Sequence, residues 1–432
     1  MDFQHSPRAQ MLQQQLETFM QRYVLPHNAA WHQAVQQGDY PPPFLEDLKT
    51  LAREEGLWNL FLPGLREDEP GTRLDNLDYA PLAEAMGKLH WAAEVFNCSA
   101  PDTGNMELLH RFATPAQRTQ WLTPLLNGTI RSAFAMSEPD VASSDPTNLQ
   151  TTVRREGDGL VLNGRKWFIT GVAHPNCKLL IVMARNAADD SGAPDIKHHQ
   201  HSMLLVPLDT PGIEVVRNIS VVHHHAPEGH CEIVFRHVRV PADHLLGGWG
   251  EGFAMAQARL GPGRVHHCMR TIGQCELALA LATERALERQ TFGKYLADYA
   301  NVQEWIALSR IEIDQARLLV LRCAWLLDHP DRAEPAAVRA QVAAIKVVAA
   351  GLQTRVVDRA MQIFGAMGLS PDTPLAQFWT WGRALHLLDG PDEVHLRSVA
   401  RHELERARAR MGASSAYFTT PEQMRTPPHL SA

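Results

Sequence analysis

The chain has 432 residues, a formal net charge of −7 at pH 7 and an isoelectric point near 6.3. This length exceeds what one hydrophobic core usually supports, so we expect two or three domains. The acidic balance argues against a nucleic-acid-binding or membrane-surface protein, because those polyanionic partners favour a basic face.

Residues 1–130 predict an N-terminal α-helical domain. Apolar positions recur at helical spacing over 11–22, 44–56 and 81–86, with prolines between these stretches. The first ten residues have no apolar core of the signal-peptide type, and no run approaches the roughly 18 uninterrupted apolar residues of a membrane helix. We therefore expect a cytoplasmic protein with no membrane partner, whose six cysteines are reduced and buried.

Residues 131–245 predict a middle β domain. Short runs of strand-forming residues occupy 160–162, 167–170, 179–183, 203–206 and 232–235. The pairs Asp158-Gly159 and Asn163-Gly164 predict hairpin turns, because glycine accepts the positive φ that such turns require.

Residues 246–410 predict a C-terminal bundle built mainly from long helices. The helical stretches are 265–290, 303–327 and 336–364, followed by shorter ones over 375–387 and after Pro391. Within 336–364 the apolar residues recur at three-, four- and seven-residue steps, which predicts one buried face. Residues 411–432 predict a loose tail or partner-binding arm. The predicted fold class is therefore α+β.

Four segments carry residue types suited to a bound flavin nucleotide. They are FAMSEPDVASSD at 134–145, KWFITG at 166–171, ERQTFGK at 288–294 and MQIFGAMG at 361–368. Each one alone is more typical of ordinary structure: a polar turn, a core strand, a solvated helix end and a helix C-cap. The order of the four segments across the three predicted domains is more specific than any one segment alone.

In that order, the four segments resemble the acyl-CoA dehydrogenase family, over about residues 10 to 408. Further matches are residues 235–241 followed by Leu246-Gly247, and the GPGR run at 261–264, which we expect to precede the first bundle helix. The resemblance implies FAD as cofactor, and an N-terminal helical domain, a middle β domain and a C-terminal four-helix bundle.

The resemblance also assigns roles to single residues. It implies flavin-ring contacts at Phe134, Met136, Ser137, Phe168, Ile169 and Thr170. It implies FAD contacts across a subunit interface at Arg289, Thr291 and Phe292, and diphosphate contacts at Gln362 and Gly365. Cofactor binding would then need a homo-oligomer, either a dimer or a tetramer. Substrate contacts are implied at Ser143 for the CoA arm, at Arg264 at the base of the cleft, and at Gly390.

The predicted catalytic base is Asp389. It stands in the run DGPDEVH at 389–395, where most family members have a glutamate, and the run resembles a subgroup that uses aspartate. The side chain is one methylene shorter, about 1.5 Å less reach, which matters for near-attack geometry. The following helix start would lower the pKa of Asp389, whereas a bound acyl chain would raise it. The alternative is that Asp389 only caps the last helix.

The predicted reaction is FAD-dependent α,β-dehydrogenation of an acyl-CoA in fatty acid oxidation, with electrons passed to an electron-transferring flavoprotein. Asp389 would remove the α-proton as hydride leaves Cβ. Two alternatives stay open: a nitroalkane-oxidase-like flavoenzyme and a non-catalytic flavoprotein assembly factor. No metal site is predicted from the histidines at 198–201 and 223–230, since consecutive strand residues point to opposite faces.

Overall fold

The computed structural model describes residues 2–187, 197–414 and 417, in which helices, then a sheet, then helices follow one another along the chain. The N-terminal helices are α1 (Pro7–Phe19), α2 (Asn28–Gln37), α3 (Phe44–Glu54), α4 (Asn76–Gly87), α5 (Ala92–Val95), α6 (Asp102–Phe112), α7 (Pro115–Gln117) and α8 (Thr123–Leu126). Ser6 begins α1, because its hydroxyl accepts a hydrogen bond from the Ala9 N–H at 3.1 Å.

The middle region forms an eight-stranded sheet. Its strands are β1 (Arg131–Ala135), β2 (Thr152–Glu156), β3 (Gly159–Thr170), β4 (Cys177–Asn186), β5 (His201–Pro207), β6 (Ile213–Asn218), β7 (His230–Pro241) and β8 (Leu245–Leu246). The strand order is β6-β7-β3-β2-β4-β5-β8, with β1 paired in parallel to β4. Strand β4 is buried on both faces and reads as a continuous apolar run.

One predicted hairpin turn is wrong. The turn at 158–159 exists with a shift of one residue, since Glu156 pairs with Gly159 across Gly157-Asp158. Asn163-Gly164, in contrast, lies inside β3, where the pairing with β7 shifts register. Gly164 has φ +151°, and a Cβ there would overlap Thr151. Gly164 therefore allows the backbone to pass close to Thr151 within a bulge, and it does not form a hairpin turn.

The C-terminal helices are α9 (Gly252–Glu288), α10 (Ala300–Asp328), α11 (Pro335–Phe364), α12 (Leu375–Leu385) and α13 (Asp392–Arg408), with a small hairpin β9 (Gln290–Thr291) and β10 (Lys294–Tyr295) after α9. Helix α9 begins well before the predicted start and contains Pro262. The prediction failed because Met255, Ala256 and Leu260 are buried, and this packing outweighs the local helix-breaking signal.

Helix α9 crosses α4 at very short range. A Cβ at Gly87 would overlap the backbone of Arg270, and a Cβ at Gly273 would overlap the backbone of Glu84. Glycine at both positions allows the N-terminal helices to dock directly on the bundle. This crossing fixes the position of the middle of α9.

Helix α11 and the turn after it, Pro335–Leu369, satisfy the length and composition criterion for a membrane-spanning helix, with a mean hydropathy of 1.3. The central helix of a bundle meets the same criterion. Here Val342, Ile345, Leu352 and Val356 of α11 are buried in the main core together with residues of α9 and α10. All six cysteines are buried and free, as predicted. Of the predicted tail, residues 415–416 and 418–432 lie outside the described residues.

Candidate active site

A cavity of about 1240 Å³ lies where the N-terminal helices, the sheet and the bundle meet. Its walls include α9 and the loop between α12 and α13. Most of the predicted site residues line it: Phe134, Met136, Ser137, Ser143, Phe168, Ile169, Thr170, Arg264, Asp389 and Gly390. Pockets for drug-sized ligands occupy roughly 300 to 1,000 Å³, so this cavity has room for a larger ligand.

A buried ion pair holds the segment that follows β1. The Lys166 ammonium donates to the Glu138 carboxylate and to the Met136 carbonyl, both at 2.8 Å. Glu138 also accepts the Thr151 N–H at 2.9 Å. The Ser143 hydroxyl accepts the Glu138 N–H at 3.0 Å, which closes the loop. Met136, Ser137 and Ser143 thereby take fixed places on the cavity wall.

A bulge at the end of β3 turns Phe168 toward the cavity. The pairing with β7 shifts register between Lys166 and Ile169, and Phe168 has φ +51°. The Trp167 N–H donates to the Ser137 carbonyl at 3.0 Å instead of to a sheet neighbour. The Phe168 side chain is 40% exposed as a result. Bulges commonly re-aim side chains beside active sites in this way.

The loop between α12 and α13 carries Asp389 in a left-handed conformation with φ +52°. The Asp389 carbonyl accepts the Arg264 Nε–H at 2.9 Å and lies 3.2 Å from His395 Nε2. The buried Lys346 ammonium donates to the carbonyls of Leu385 and, at 3.1 Å, Gly390. Side chains from α9, α11 and α13 therefore hold this short loop by its backbone.

The Asp389 side chain does not cap α13. Pro391 occupies the N-cap position, and no side chain makes a capping hydrogen bond there. The carboxylate is 23% exposed and lines the cavity. The capping alternative is therefore wrong, and the carboxylate is free to meet a ligand.

The charges around Asp389 favour its ionised form. Burial raises the pKa of Asp389, but His267, Arg259, Arg264 and Lys346 together lower it below its ordinary value. The nearest of these contacts is His267 Nε2, which lies 3.4 Å from Asp389 Oδ2. Burial lowers the pKa of His267 itself to about 4, so this imidazole is neutral at pH 7. With His267 neutral, the positive charges beside the carboxylate at pH 7 are those of the buried Arg259 and Lys346 and the half-buried Arg264.

The sequence reasoning missed Arg259, His267 and Lys346. Arg259 is buried, and its guanidinium lies 4.1 Å from the centre of the Phe134 ring. Arg264, His267 and Arg270 are three residues apart along α9 and so share one helix face. That spacing was the available signal for His267, whereas nothing in the sequence pairs Lys346 with the loop.

The remaining predicted residues lie away from the cavity. Arg289, Thr291 and Phe292 belong to the β9–β10 hairpin region, where Phe292 is 97% exposed. Gln362 and Gly365 are exposed at the end of α11. The hairpin region and the end of α11 lie at the same end of the bundle, because the Arg285 guanidinium near the end of α9 lies over the Phe364 ring at the end of α11. One chain therefore does not bring these five residues to Asp389.

Three buried nitrogen atoms of residues in the cavity wall are unsatisfied. Trp31 Nε1, Trp381 Nε1 and His230 Nε2 have no hydrogen-bond partner among the residues that the structure describes. The Thr170 hydroxyl lies 2.9 Å from His230 Nδ1. Such groups, beside the exposed Phe168 ring, fit a flat ligand with several hydrogen-bonding atoms. In the described ranges no three His, Cys, Asp or Glu side chains are grouped to hold a metal.

The fold and the cavity thus define a three-domain protein with an ionised carboxylate facing a cavity of about 1240 Å³. Three family models match the chain. They describe the N-terminal, middle and C-terminal domains of acyl-CoA dehydrogenases, and they match residues 6–129, 133–238 and 250–404, respectively. The chain belongs to the acyl-CoA dehydrogenase family, whose members are FAD enzymes.

Individual relatives agree with this family. The chain is 51% identical to the probable acyl-CoA dehydrogenase FadE2 of Mycobacterium tuberculosis, over 96% of this chain and 100% of that protein. It is 44% identical to the human acyl-CoA dehydrogenase family member 11, over 91% of this chain but 50% of that protein. It is 49% identical to the mouse acyl-CoA dehydrogenase family member 10, over 93% of this chain and 37% of that protein.

Solved structures share the fold. A putative acyl-CoA dehydrogenase from Mycobacterium abscessus has a TM-score of 0.87 and 48% identity, covering 93% of this chain and 99% of that one. Butyryl-CoA dehydrogenase from Megasphaera elsdenii has a TM-score of 0.78 and 26% identity, covering 94% and 100%. The predicted arrangement of helical, β and helical domains is confirmed.

Proposed function

We propose that this protein catalyses the FAD-dependent α,β-dehydrogenation of an acyl-CoA thioester, with Asp389 as the base. The observation that carries the proposal is the position of the Asp389 carboxylate. This carboxylate lies on a loop whose backbone is held by hydrogen bonds, and nearby buried cations keep it ionised. It faces the same cavity as the β3 bulge and the end of β1.

Two groups of Asp389 have separate roles in the proposed reaction, the side-chain carboxylate and the backbone N–H. The α-hydrogen of a thioester is weakly acidic, so its removal needs a positioned base, and the Asp389 carboxylate accepts this proton. Negative charge then develops on the thioester oxygen, and we propose that the Asp389 backbone N–H donates to it. Arg264 and His395 support this role, because they hold the Asp389 carbonyl and so restrain the loop backbone at this residue.

We propose that Phe134, Met136, Ser137, Phe168, Ile169 and Thr170 hold the flavin ring of FAD. They line one cavity with Asp389, which supports the assignment. FAD, when bound, supplies the flavin N5 position that accepts the β-hydride. Arg289, Thr291, Phe292, Gln362 and Gly365 lie outside this cavity, so we propose that they contact the FAD of a second subunit in a dimer or tetramer.

The proposed substrate class comes from the resemblance to the aspartate-base subgroup. An aspartate has about 1.5 Å less reach than a glutamate, so the acyl chain must sit closer to the loop. We propose that this chain belongs to the aspartate-base subgroup, with long, branched or 4-hydroxylated acyl-CoAs as substrates. Ser143, Arg264 and Gly390 would contact them. We further propose an electron-transferring flavoprotein as acceptor; one structural neighbour, at 25% identity, is titled as such a flavoprotein from Acidaminococcus fermentans.

Anaerobic titration with a panel of straight, branched and hydroxylated acyl-CoAs tests the reaction class. At least one of them is expected to bleach the flavin absorbance of the purified protein, and bleaching by none of them would refute the proposal. Oxygen consumption with nitroethane instead would support the nitroalkane-oxidase alternative, and a colourless protein that binds no FAD would support the assembly factor.

A further inference from the structure

We propose that His267 is a positioning residue for the base. Its Nε2–H holds one carboxylate oxygen of Asp389 and leaves the other oxygen directed to the α-proton of the substrate. This inference rests on the proposed function, in which Asp389 is the base, and adds a residue to it.

The tautomer of His267 follows from its neighbour on α9. Arg270 Nη2 lies 3.3 Å from His267 Nδ1. A guanidinium can only donate, so Nδ1 must be the accepting nitrogen of the ring. A neutral imidazole carries one proton, which then sits on Nε2. Burial and the charge of Arg270 keep the ring neutral, because they lower the pKa of His267 to about 4.

The protonated nitrogen faces the base. His267 Nε2 lies 3.4 Å from Asp389 Oδ2, whereas Oδ1 has no hydrogen-bond or ion-pair partner within residues 2–187 and 197–414. Neither arginine forms an ion pair with this carboxylate in the described residues. Arg264 directs its Nε–H to the Asp389 carbonyl, and Arg259 directs its Nε–H to Asn105 at 2.8 Å. The two carboxylate oxygens are therefore inequivalent, and the free one is Oδ1.

The support behind His267 is rigid. Arg270 also donates to the Cys98 carbonyl at 3.4 Å, and its backbone packs against Gly87 where α4 crosses α9. The chain from α4 through Arg270 and His267 to Asp389 thus joins the N-terminal helices to the loop after α12. A side chain fixed in this way restricts the rotamers of a short aspartate, which matters because small misplacements of a reacting group are costly.

Two variants of His267 separate positioning from simple packing. His267→Gln keeps an N–H donor near the Nε2 position, and His267→Leu fills similar space without a donor. We expect about a tenfold fall in the rate of flavin reduction by acyl-CoA in His267→Leu, with KM nearly unchanged, and a rate within about threefold of the unchanged protein in His267→Gln. FAD content and Tm are measured for both.

The pH profile provides a readout that packing alone would not move. Other charged or titratable groups around the pair are Arg259, Arg264 and Arg270 on α9, Lys346 on α11 and His395 on α13. The Nε2–H dipole of His267, 3.4 Å from Asp389 Oδ2, favours the carboxylate form, so its loss raises the pKa of Asp389. The acidic limb of kcat/KM should move to higher pH in His267→Leu and stay in place in His267→Gln.

The outcomes are distinct. If His267→Leu fails to fold, His267→Asn replaces it, since the shorter amide does not reach the Nε2 position. Suppose that the wild type is active and that the variant without a donor has the same rate and the same acidic limb of kcat/KM. That result would overturn the role of His267 and leave the proposed function standing. A wild type that no acyl-CoA reduces would overturn the proposed function, and the role of His267 with it.

Discussion

The carboxylate at position 389 combines three properties that a base needs. It is ionised because buried cations outweigh the effect of burial on its pKa, it faces a cavity, and its backbone is held on both sides. A strained φ of +52° in a non-glycine residue persists only where the surroundings enforce it. These features support the proposal that Asp389, rather than a neighbouring carboxylate, is the base.

Substitution of Asp389 separates charge from reach. We expect Asp389→Asn to retain FAD and to lose about a thousandfold in the rate of flavin reduction, because general-base catalysis is worth about 10² to 10⁴. Asp389→Glu keeps the charge but misplaces it by about 1.5 Å, so a loss of about 10²-fold is expected. Stopped-flow absorbance measures both rates, and equal rates in the two variants would argue against a proton-accepting role.

The site could be predicted only in part at this scale. Ser137, Thr170 and Asp389 stand in local sequence patterns, and the structure brings them to one cavity. Arg259 and His267 belong to a helix whose start was predicted too late. Their approach to Asp389 depends on the crossing of α4 and α9, which no local pattern encodes.

Among the elements, the loop from His386 to Pro391 depends most on a single buried side chain. Lys346 on α11 is fully buried and bonds the carbonyls of Leu385 and Gly390. The two ends of the loop also meet, because His386 lies 2.5 Å from Asp392, and His386 lies 3.1 Å from Thr354 on α11. The base is therefore carried by a loop that three helices stabilise.

Replacement of Lys346 tests this support. Lys346→Met keeps most of the volume but leaves two buried carbonyls without their charged donor. Because hydrogen bonds to charged groups are worth about 1.5 to 3 kcal/mol each, we expect a lower free energy of unfolding and a reduced kcat. Denaturant unfolding and steady-state kinetics measure the two effects. The exposed Lys178→Met is the matched control, and equal behaviour of both variants would contradict the role of Lys346.

The element boundaries show what the sequence does and does not encode. The long helices and the strands follow apolar periodicity, so their existence was predictable. Asn163-Gly164 was misread as a turn, because a glycine also permits close backbone approach inside a strand. The GPGR run at 261–264 was misread as preceding a helix, because the buried residues before it extend α9 through Pro262. In both cases tertiary packing decided between the two uses.

At the scale of the whole molecule, the Phe292 side chain is 97% exposed. We propose that it contacts the FAD of a second subunit, and we therefore expect Phe292→Ser to release FAD while the Tm of the apoprotein stays unchanged. Flavin content after gel filtration and the mass by analytical ultracentrifugation are the measurements. Full FAD retention in the variant would exclude the contact.

The whole fold is also expected to be sensitive to mild acid. Burial lowers the pKa of His201 and His395 to about 4 and that of His266 to about 3, against 6.5 in the unfolded chain. The unfolded state then binds more protons between pH 6.5 and 4, so stability falls as pH falls through this window. Each unit of pKa difference corresponds to about 1.4 kcal/mol.

Thermal unfolding at pH 7 and pH 5 measures this sensitivity. The Tm should be lower at pH 5, and His266→Met should reduce the difference, because it removes a buried ring that resists protonation. His225→Met, at an exposed position, is the control and should leave the difference unchanged. A larger pH dependence in His266→Met would contradict this account.

We propose that Asp389 removes the α-proton as the flavin is reduced. Rapid anaerobic mixing of the purified protein with an acyl-CoA, either unlabelled or deuterated at Cα, tests it most directly. We predict slower flavin bleaching with the deuterated substrate and nearly no bleaching in Asp389→Asn. Bleaching at the wild-type rate by Asp389→Asn, or a wild-type rate with no effect of α-deuterium, would contradict the claim.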